Sequence, residues 1–130
     1  MEDSQRRRSE AETKELKKNA THEALNLAGL SIGFNVRLRS SDMPVHMQER
    51  ALRCTRSFLD SNPRKRPNPT QLSQTLKKEF DSVYGPAWHC VAGTSFGSFV
   101  THSRGGFLYF SVDSLFVLLF KTEVQVVKEV

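Results

Sequence analysis

The stretch Gly93-Thr94-Ser95-Phe96-Gly97 has the glycine-x-serine-x-glycine form of a nucleophile elbow, in which a strained turn between a strand and a helix lifts a serine hydroxyl toward a carbonyl. That chemistry needs an acid and then a histidine later in the chain. Asp113 follows, but the last histidine is His102, and the residues after Gly97 read as a strand, so the triad cannot be completed in order. Metal chemistry fares no better. Among His22, His46, His89, His102, Cys54 and Cys90 no pair has zinc-ligand spacing, and His89 and Cys90, as neighbours in a strand, point to opposite faces. Cys54 falls on the apolar stripe of a helix and reads as a small core residue. With no paired carboxylates and no phosphate-cradling glycine loop, the expectation is a chain that is not an enzyme and has no catalytic residues, metal or cofactor.

What remains is Ser95-Phe96-Gly97-Ser98-Phe99-Val100-Thr101-His102. As a strand it sets Phe96, Ser98, Val100 and His102 on one side and Ser95, Gly97, Phe99 and Thr101 on the other, with no charge or proline to blunt its edges. Such a strand is either interior to a sheet or a working edge. An extended peptide laid along it would gain affinity from main-chain hydrogen bonds and selectivity from side-chain pockets, and Gly97 would leave room for close backbone approach.

The surrounding elements follow from periodicity. Residues 1–29 are charge-dense and poor in aromatics and read as a disordered or partly helical extension. Leu30, Ile32, Phe34, Val36 and Leu38 alternate with polar residues and predict a strand. Met47, Ala51, Cys54 or Thr55, and Phe58 predict a helix from Val45 to Leu59, capped by Asp42 or Ser41. Prolines at 63 and 67 make a loop. Asn68-Pro69-Thr70-Gln71 then starts a second helix, with Leu72, Leu76, Phe80 and Val83 as its buried stripe and Tyr84-Gly85-Pro86 as its stop. Trp88–Ala92, Phe96–His102, Phe107–Val112 and Leu115–Lys121 read as strands separated by short turns. The order β-α-α-β-β-β-β predicts an α+β domain over 30–121, two helices packed on one face of an antiparallel sheet, followed by a tail at 122–130.

The chain has 130 residues, 38% hydrophobic and 25% charged, with a formal charge of +5. The surplus lies in two segments: residues 1–40 carry eight bases and six acids, 41–86 eight and five, and 87–130 three and three. The most apolar third is thus neutral. Arg6-Arg7-Arg8 and Pro63-Arg64-Lys65-Arg66-Pro67 carry an alternative reading, a basic nuclear or nucleic-acid-associated adaptor using the extension and the 63–67 loop. Neither run is interleaved with stacking aromatics, which favours a solvated tail and loop. Two cysteines cannot make a disulfide framework, and without a signal peptide a reducing cytosolic or nuclear compartment is expected. The apolar run Phe107 to Phe120 is interrupted by Asp113 and is too short to span a membrane.

Lys77-Lys78-Glu79-Phe80-Asp81, Tyr84, Pro86, Trp88-His89-Cys90, Gly93, Phe96 through His102, Phe107, Tyr109-Phe110 and Leu118-Leu119-Phe120-Lys121 closely resemble the small dimeric dynein light chain family. The similarity covers roughly Val36 to Lys121. The resemblance implies a homodimeric hub in which the strand Phe96 to Thr101 crosses to the partner's sheet, with Trp88, His89, Phe96, Ser98, Phe99 and Thr101 at the dimer interface. It further implies grooves in which extended client segments, often with a Thr-Gln-Thr-like core, add as an extra strand. The groove would be walled by Ser95, Phe96, Gly97, Ser98, Phe99, Val100, Thr101 and His102, floored by Phe107, Tyr109, Phe116 and Leu118, and closed by Pro69, Thr70 and Gln71. Implied partners are a second copy, dynein intermediate or heavy chain-type subunits and other clients, in the cytoplasm and on the cytoskeleton with a nuclear pool besides, and no membrane. At His89 two symmetry-related imidazoles would approach each other, so their joint protonation would weaken the dimer. The sequence departs from the family where Pro69-Thr70 replaces a usual Glu-Lys pair, Thr94 a usual Arg and Ser111 a groove Tyr, and the interhelix loop is longer.

Overall fold

The computed structural model describes residues 2–61, 66–125 and 127, and of residues 2, 3 and 20 the backbone only. In the basic loop, Pro63, Arg64 and Lys65 lie outside the described residues, as do 126 and 128–130 of the tail. The elements are α1 (Glu2–Gly33), β1 (Val36–Asp42), α2 (Val45–Asp60), α3 (Pro69–Tyr84), β2 (Trp88–Gly93), β3 (Phe107–Val112) and β4 (Leu115–Lys121). The four strands form one antiparallel sheet in the order β1-β3-β4-β2.

The first element differs from the sequence expectation. α1 is one helix through residue 33, rich in strong helix formers such as Ala, Glu, Lys and Leu, and it takes in Leu30 and Ile32, which the alternation assigned to a strand. Leu30 and Phe34 stand one helical turn apart, joined by Phe34 N donating to Leu30 O at 2.9 Å, and both pack on the core. Ile32, which a strand would bury beside them, is 82% exposed. Short runs of this kind fit either period, and packing decides between them. Leu27, within the stretch read as an extension, is buried in the core, whereas Leu16 and Leu25 are exposed. Asn35, in the left-handed region at φ 56°, ends the helix and turns the chain into β1.

The helix α2 has the expected limits, but its buried face is Gln48, Ala51, Leu52, Thr55 and Leu59, turned by one residue from the expected stripe, while Met47, Cys54 and Phe58 are half-buried. Neither Asp42 nor Ser41 caps it: Pro44 stands at the cap position, and Asp42 belongs to the last rung of β1, where its Oδ2 accepts from Gly105 N at 3.1 Å. The start of α3 is as read from the sequence. Asn68 Oδ1 accepts from Gln71 N at 3.2 Å, with Pro69 in the first turn, where its missing amide costs nothing. Leu72, Leu76 and Phe80 are fully buried, but Val83 is exposed.

Both helices cover one face of the sheet, where Trp88, Leu108, Phe110, Val112, Val117 and Leu119 join them in the core. Phe80 meets Trp88 edge-on at 4.8 Å between ring centroids. Lys77 Nζ donates to Trp88 O at 2.6 Å and Trp88 N donates to Asp81 Oδ1 at 2.8 Å, so α3 and β2 are tied side chain to backbone. The β3–β4 turn is Asp113-Ser114, with Asp113 at φ 52° and fastened by Asn35 and Arg56. Among the described residues no helix is long and apolar enough to cross a membrane.

A further difference concerns Phe96–His102. It is no strand within one chain: residues 94–102 make no backbone hydrogen bond found among the described residues, and the chain rejoins the sheet only where Ser103 N donates to Lys121 O at 2.7 Å. A strand is defined by a ladder, and this segment has no partner strand in its own chain.

Candidate partner-binding surface

Because side chains alternate across a strand, the same residues that build the core leave a second face, and pairing arranges it in three rows. Arg37, Ser111, Phe116 and Gly93 form one; Ser40, Tyr109, Leu118 and Val91 the next; Asp42, Phe107, Phe120 and His89 the third. Among the described residues no helix covers this face. Tyr109 stacks on Phe116 at 6.2 Å and His89 on Phe120 at 5.1 Å, and the unpaired segment lies against it through Phe96 on Tyr109 at 6.3 Å and His102 on Phe107 at 4.7 Å. Leu118 is buried here at 2% exposure although it stands apart from the helix-side core.

The segment from Thr94 to Thr101 is otherwise open. Ser95, Gly97, Ser98, Phe99, Val100 and Thr101 are exposed, and Phe99 is fully in solvent. A methyl group built at Gly97 would meet nothing within 4 Å, so the glycine is not required by its own chain. Among the described residues β2 pairs with β4 alone, so its outer edge is free, and Val91 on that strand is exposed.

The structure brings together Phe96, His102, Phe107, Tyr109, Phe116 and Leu118, but not the other expected parts of the groove. Pro69, Thr70 and Gln71 open α3, whose buried side chains meet the opposite face of the sheet. Trp88, expected at a dimer interface, is 1% exposed inside its own core, because its register position faces α3. His89, the next residue, does face outward, with Nε2 2.9 Å from Thr122 Oγ1.

Ser95 lies at a bend followed by irregular chain and not in a strand–turn–helix elbow, and His102 Nδ1 is 2.8 Å from Ser103 O. Burial pushes the Cys90 thiol up to about 12, against a weaker lowering by a Ser73 hydrogen bond, and burial also raises that of Cys54, so neither is poised as a thiolate. Among the described residues no three His, Cys, Asp or Glu side chains are grouped to hold a metal. Sequence reasoning did not single out Arg37 and Arg39, because the face they join depends on register. A hollow of about 690 Å³ between α2 and α3 is spanned by the Arg50–Glu79 ion pair at 2.8 Å, with Arg50 Nε donating to Tyr84 Oη at 3.2 Å, and lies away from this surface.

The family model described as dynein light chain type 1 matches residues 35–122. A Candida glabrata protein named cytoplasmic dynein light chain 1 is 40% identical over 85 residues, which are 65% of this chain and 94% of that one. A Schistosoma mansoni dynein light chain is 36% identical over 85 residues, 65% of this chain and 91% of its own. Among solved structures, the dynein light chain-like domain of a Fasciola hepatica calcium binding protein aligns with a TM-score of 0.61 at 21% identity, covering 68% of this chain and 93% of that domain.

Proposed function

Since the chain belongs to the dynein light chain family, we propose that its accessory role is that of a non-catalytic homodimeric hub, which binds short extended segments of client proteins by strand addition. The observation that carries this reading is the pair of incomplete edges among the described residues: Thr94–His102, without a backbone hydrogen bond, and the outer edge of β2. Each is what the other lacks. A second copy's segment on β2 would complete the ladder, and the segment's remaining edge would receive a client. The placement of Pro69–Gln71 on the other side of the sheet supports the same arrangement, since a groove containing both parts draws on more than one chain. The domain is taken as 30–121, and its partners as dynein intermediate or heavy chain-type subunits and other clients on the cytoskeleton in the cytoplasm.

Client preference shifts away from a Thr-Gln-Thr core. A client glutamine meets fewer free donors at the start of α3, because Asn68 already accepts from Gln71 N and Pro69 has no amide to offer. If Thr-Gln-Thr peptides bind with the ordinary preference and Pro69→Glu changes nothing, this point is wrong.

The test of the whole is Gly97→Glu. The substitution has space within its own chain, so circular dichroism should show helical content retained, while pull-downs lose most partners. Clients captured equally by wild-type protein and variant would sink the reading. Binding that collapses as salt rises would point instead to phosphate contacts.

A further inference from the structure

One corner of the uncovered face is cationic. Arg37 lies across from Ser111 in the row that continues to Phe116. A register shift between Leu38 and Ser40 marks a bulge, a device that re-aims a side chain, and the guanidinium of Arg39 stands 5.8 Å from the centroid of the Phe116 ring. Ser111 is short between bulky neighbours, and a hollow of about 430 Å³ opens around it, with Ile32, Arg37, Arg39 and Asp113 in its walls.

The two arginines are exposed, and among the described residues neither has an ion-pair partner. The acid in the wall is already committed: both Asp113 oxygens accept from Arg56 at 3.3 Å, and Oδ1 also accepts from Asn35 at 3.0 Å. At the opposite end of the same strand stands Asp42, which accepts from Gly105 N and lies 4.0 Å from His102 Nδ1. The face is thus polarised along β1, cationic at Arg37 and anionic at Asp42, over roughly 16 Å at about 3.3 Å per residue.

From this we infer that Arg37, Arg39 and Ser111 form an anion-reading corner of the client groove, which takes a carboxylate or phosphate side chain on one flank of an extended client. The inference rests on the strand-addition reading. Arginine suits the task because its planar fork grips two oxygens at once, and the ring beneath Arg39 holds it in place. The Ser111 hydroxyl adds a donor, and its small size leaves the space. The sign of the field fixes which flank carries the acid, because the same group at the Asp42 end would be repelled.

The probe is an array of short random peptides in which Asp, Glu and phosphoserine occur at every position, read with wild-type protein and with Gly97→Glu, Arg37→Glu/Arg39→Glu and Ser111→Tyr. Peptides that depend on Gly97 should be enriched in acid at one flank only, and an acid there should tighten binding about tenfold at low salt. Arg37→Glu/Arg39→Glu should abolish the enrichment without loss of helical content, and Ser111→Tyr should reduce it by filling the hollow. The relative gain from Asp and phosphoserine identifies the anion. Gly97-dependent peptides with no flank bias, with acid favoured at both flanks, or with a bias that survives the double arginine variant overturn the inference and leave strand addition standing. An array with no Gly97-dependent peptide overturns both.

Discussion

The two faces of the sheet are made by alternate residues of the same strands, yet they are finished differently. On one, Phe110, Val117 and Leu119 are sealed under α2 and α3 with no exposure. On the other, Phe107, Tyr109, Phe116 and Phe120 remain partly exposed, with the unpaired segment laid on Tyr109 and Phe107 and Arg39 over Phe116. The first face supplies the burial that folds the chain, at about 25 cal/mol per Å² of apolar surface. The second leaves aromatic surface that the proposed partner would cover. A sheet with both faces so apolar and only one covered is a fold that stops short of completion in a single copy.

Neighbouring residues in β3 should therefore behave oppositely. Phe110→Ala removes a fully buried ring and should cost about 3–5 kcal/mol in denaturant unfolding. Tyr109→Ala, one residue earlier, should cost less than about 1.5 kcal/mol in a dilute protomer and act mainly on client affinity. Similar unfolding losses for the two would erase the contrast between the faces.

Smaller changes test the frame that holds the faces apart. A methyl group at Gly106 would lie 2.8 Å from Lys121 Cβ, so Gly106→Ala should disturb the anchor of the open segment and cost roughly 1–3 kcal/mol by overpacking. Asn68→Ala removes the cap of α3 and should lower stability by about 1 kcal/mol in the same assay. Unfolding midpoints unmoved by these substitutions would show that neither contact holds the frame.

The least effect is expected at Asp113. Hydrogen bonds from Asn35 and then Arg56 hold its carboxyl below the usual range, with burial pulling weakly the other way. The folded pKa is the lower one, so the stabilisation is complete above the ordinary carboxylate range and vanishes as pH falls through the lowered value. Asp113→Asn should cost about 0.5 kcal/mol near neutrality, because solvent screens the pair, and nothing in strong acid. A cost that does not change with pH would assign the effect to packing.

Much of this was legible in the residues. Phe107–Val112, Leu115–Lys121 and the Asn68-Pro69 start of α3 have the limits their patterns give, since turns and caps are local chemistry. Three readings were not settled locally. Leu30-Ser31-Ile32 fits both periods until Leu27 and Phe34 find α2 and the core; the stripe of α2 rotates by one residue to suit its neighbours; and Phe96–His102, for all its strand pattern, pairs with nothing in its own chain. Of the candidate site, the aromatic floor at Phe107, Tyr109, Phe116 and Leu118 came from the resemblance to the dynein light chain family, and the pairing register puts these residues on one face. The Arg37–Ser111–Phe116 row was not legible, because register across a bulge joins residues far apart in sequence.

By itself the sequence determined the α+β class, the neutrality of the strand-rich third and, through its match to dynein light chains over residues 35–122, the family. Tertiary structure alone decided which side of each strand is sealed, that Trp88 looks inward while His89 looks outward, and where the cationic corner lies. The reason is the range of the forces involved. Periodicity, turns and caps act within a few residues, whereas pairing register and helix packing depend on every element meeting at once, and a shift of one residue turns a strand's whole set of side chains to the other face.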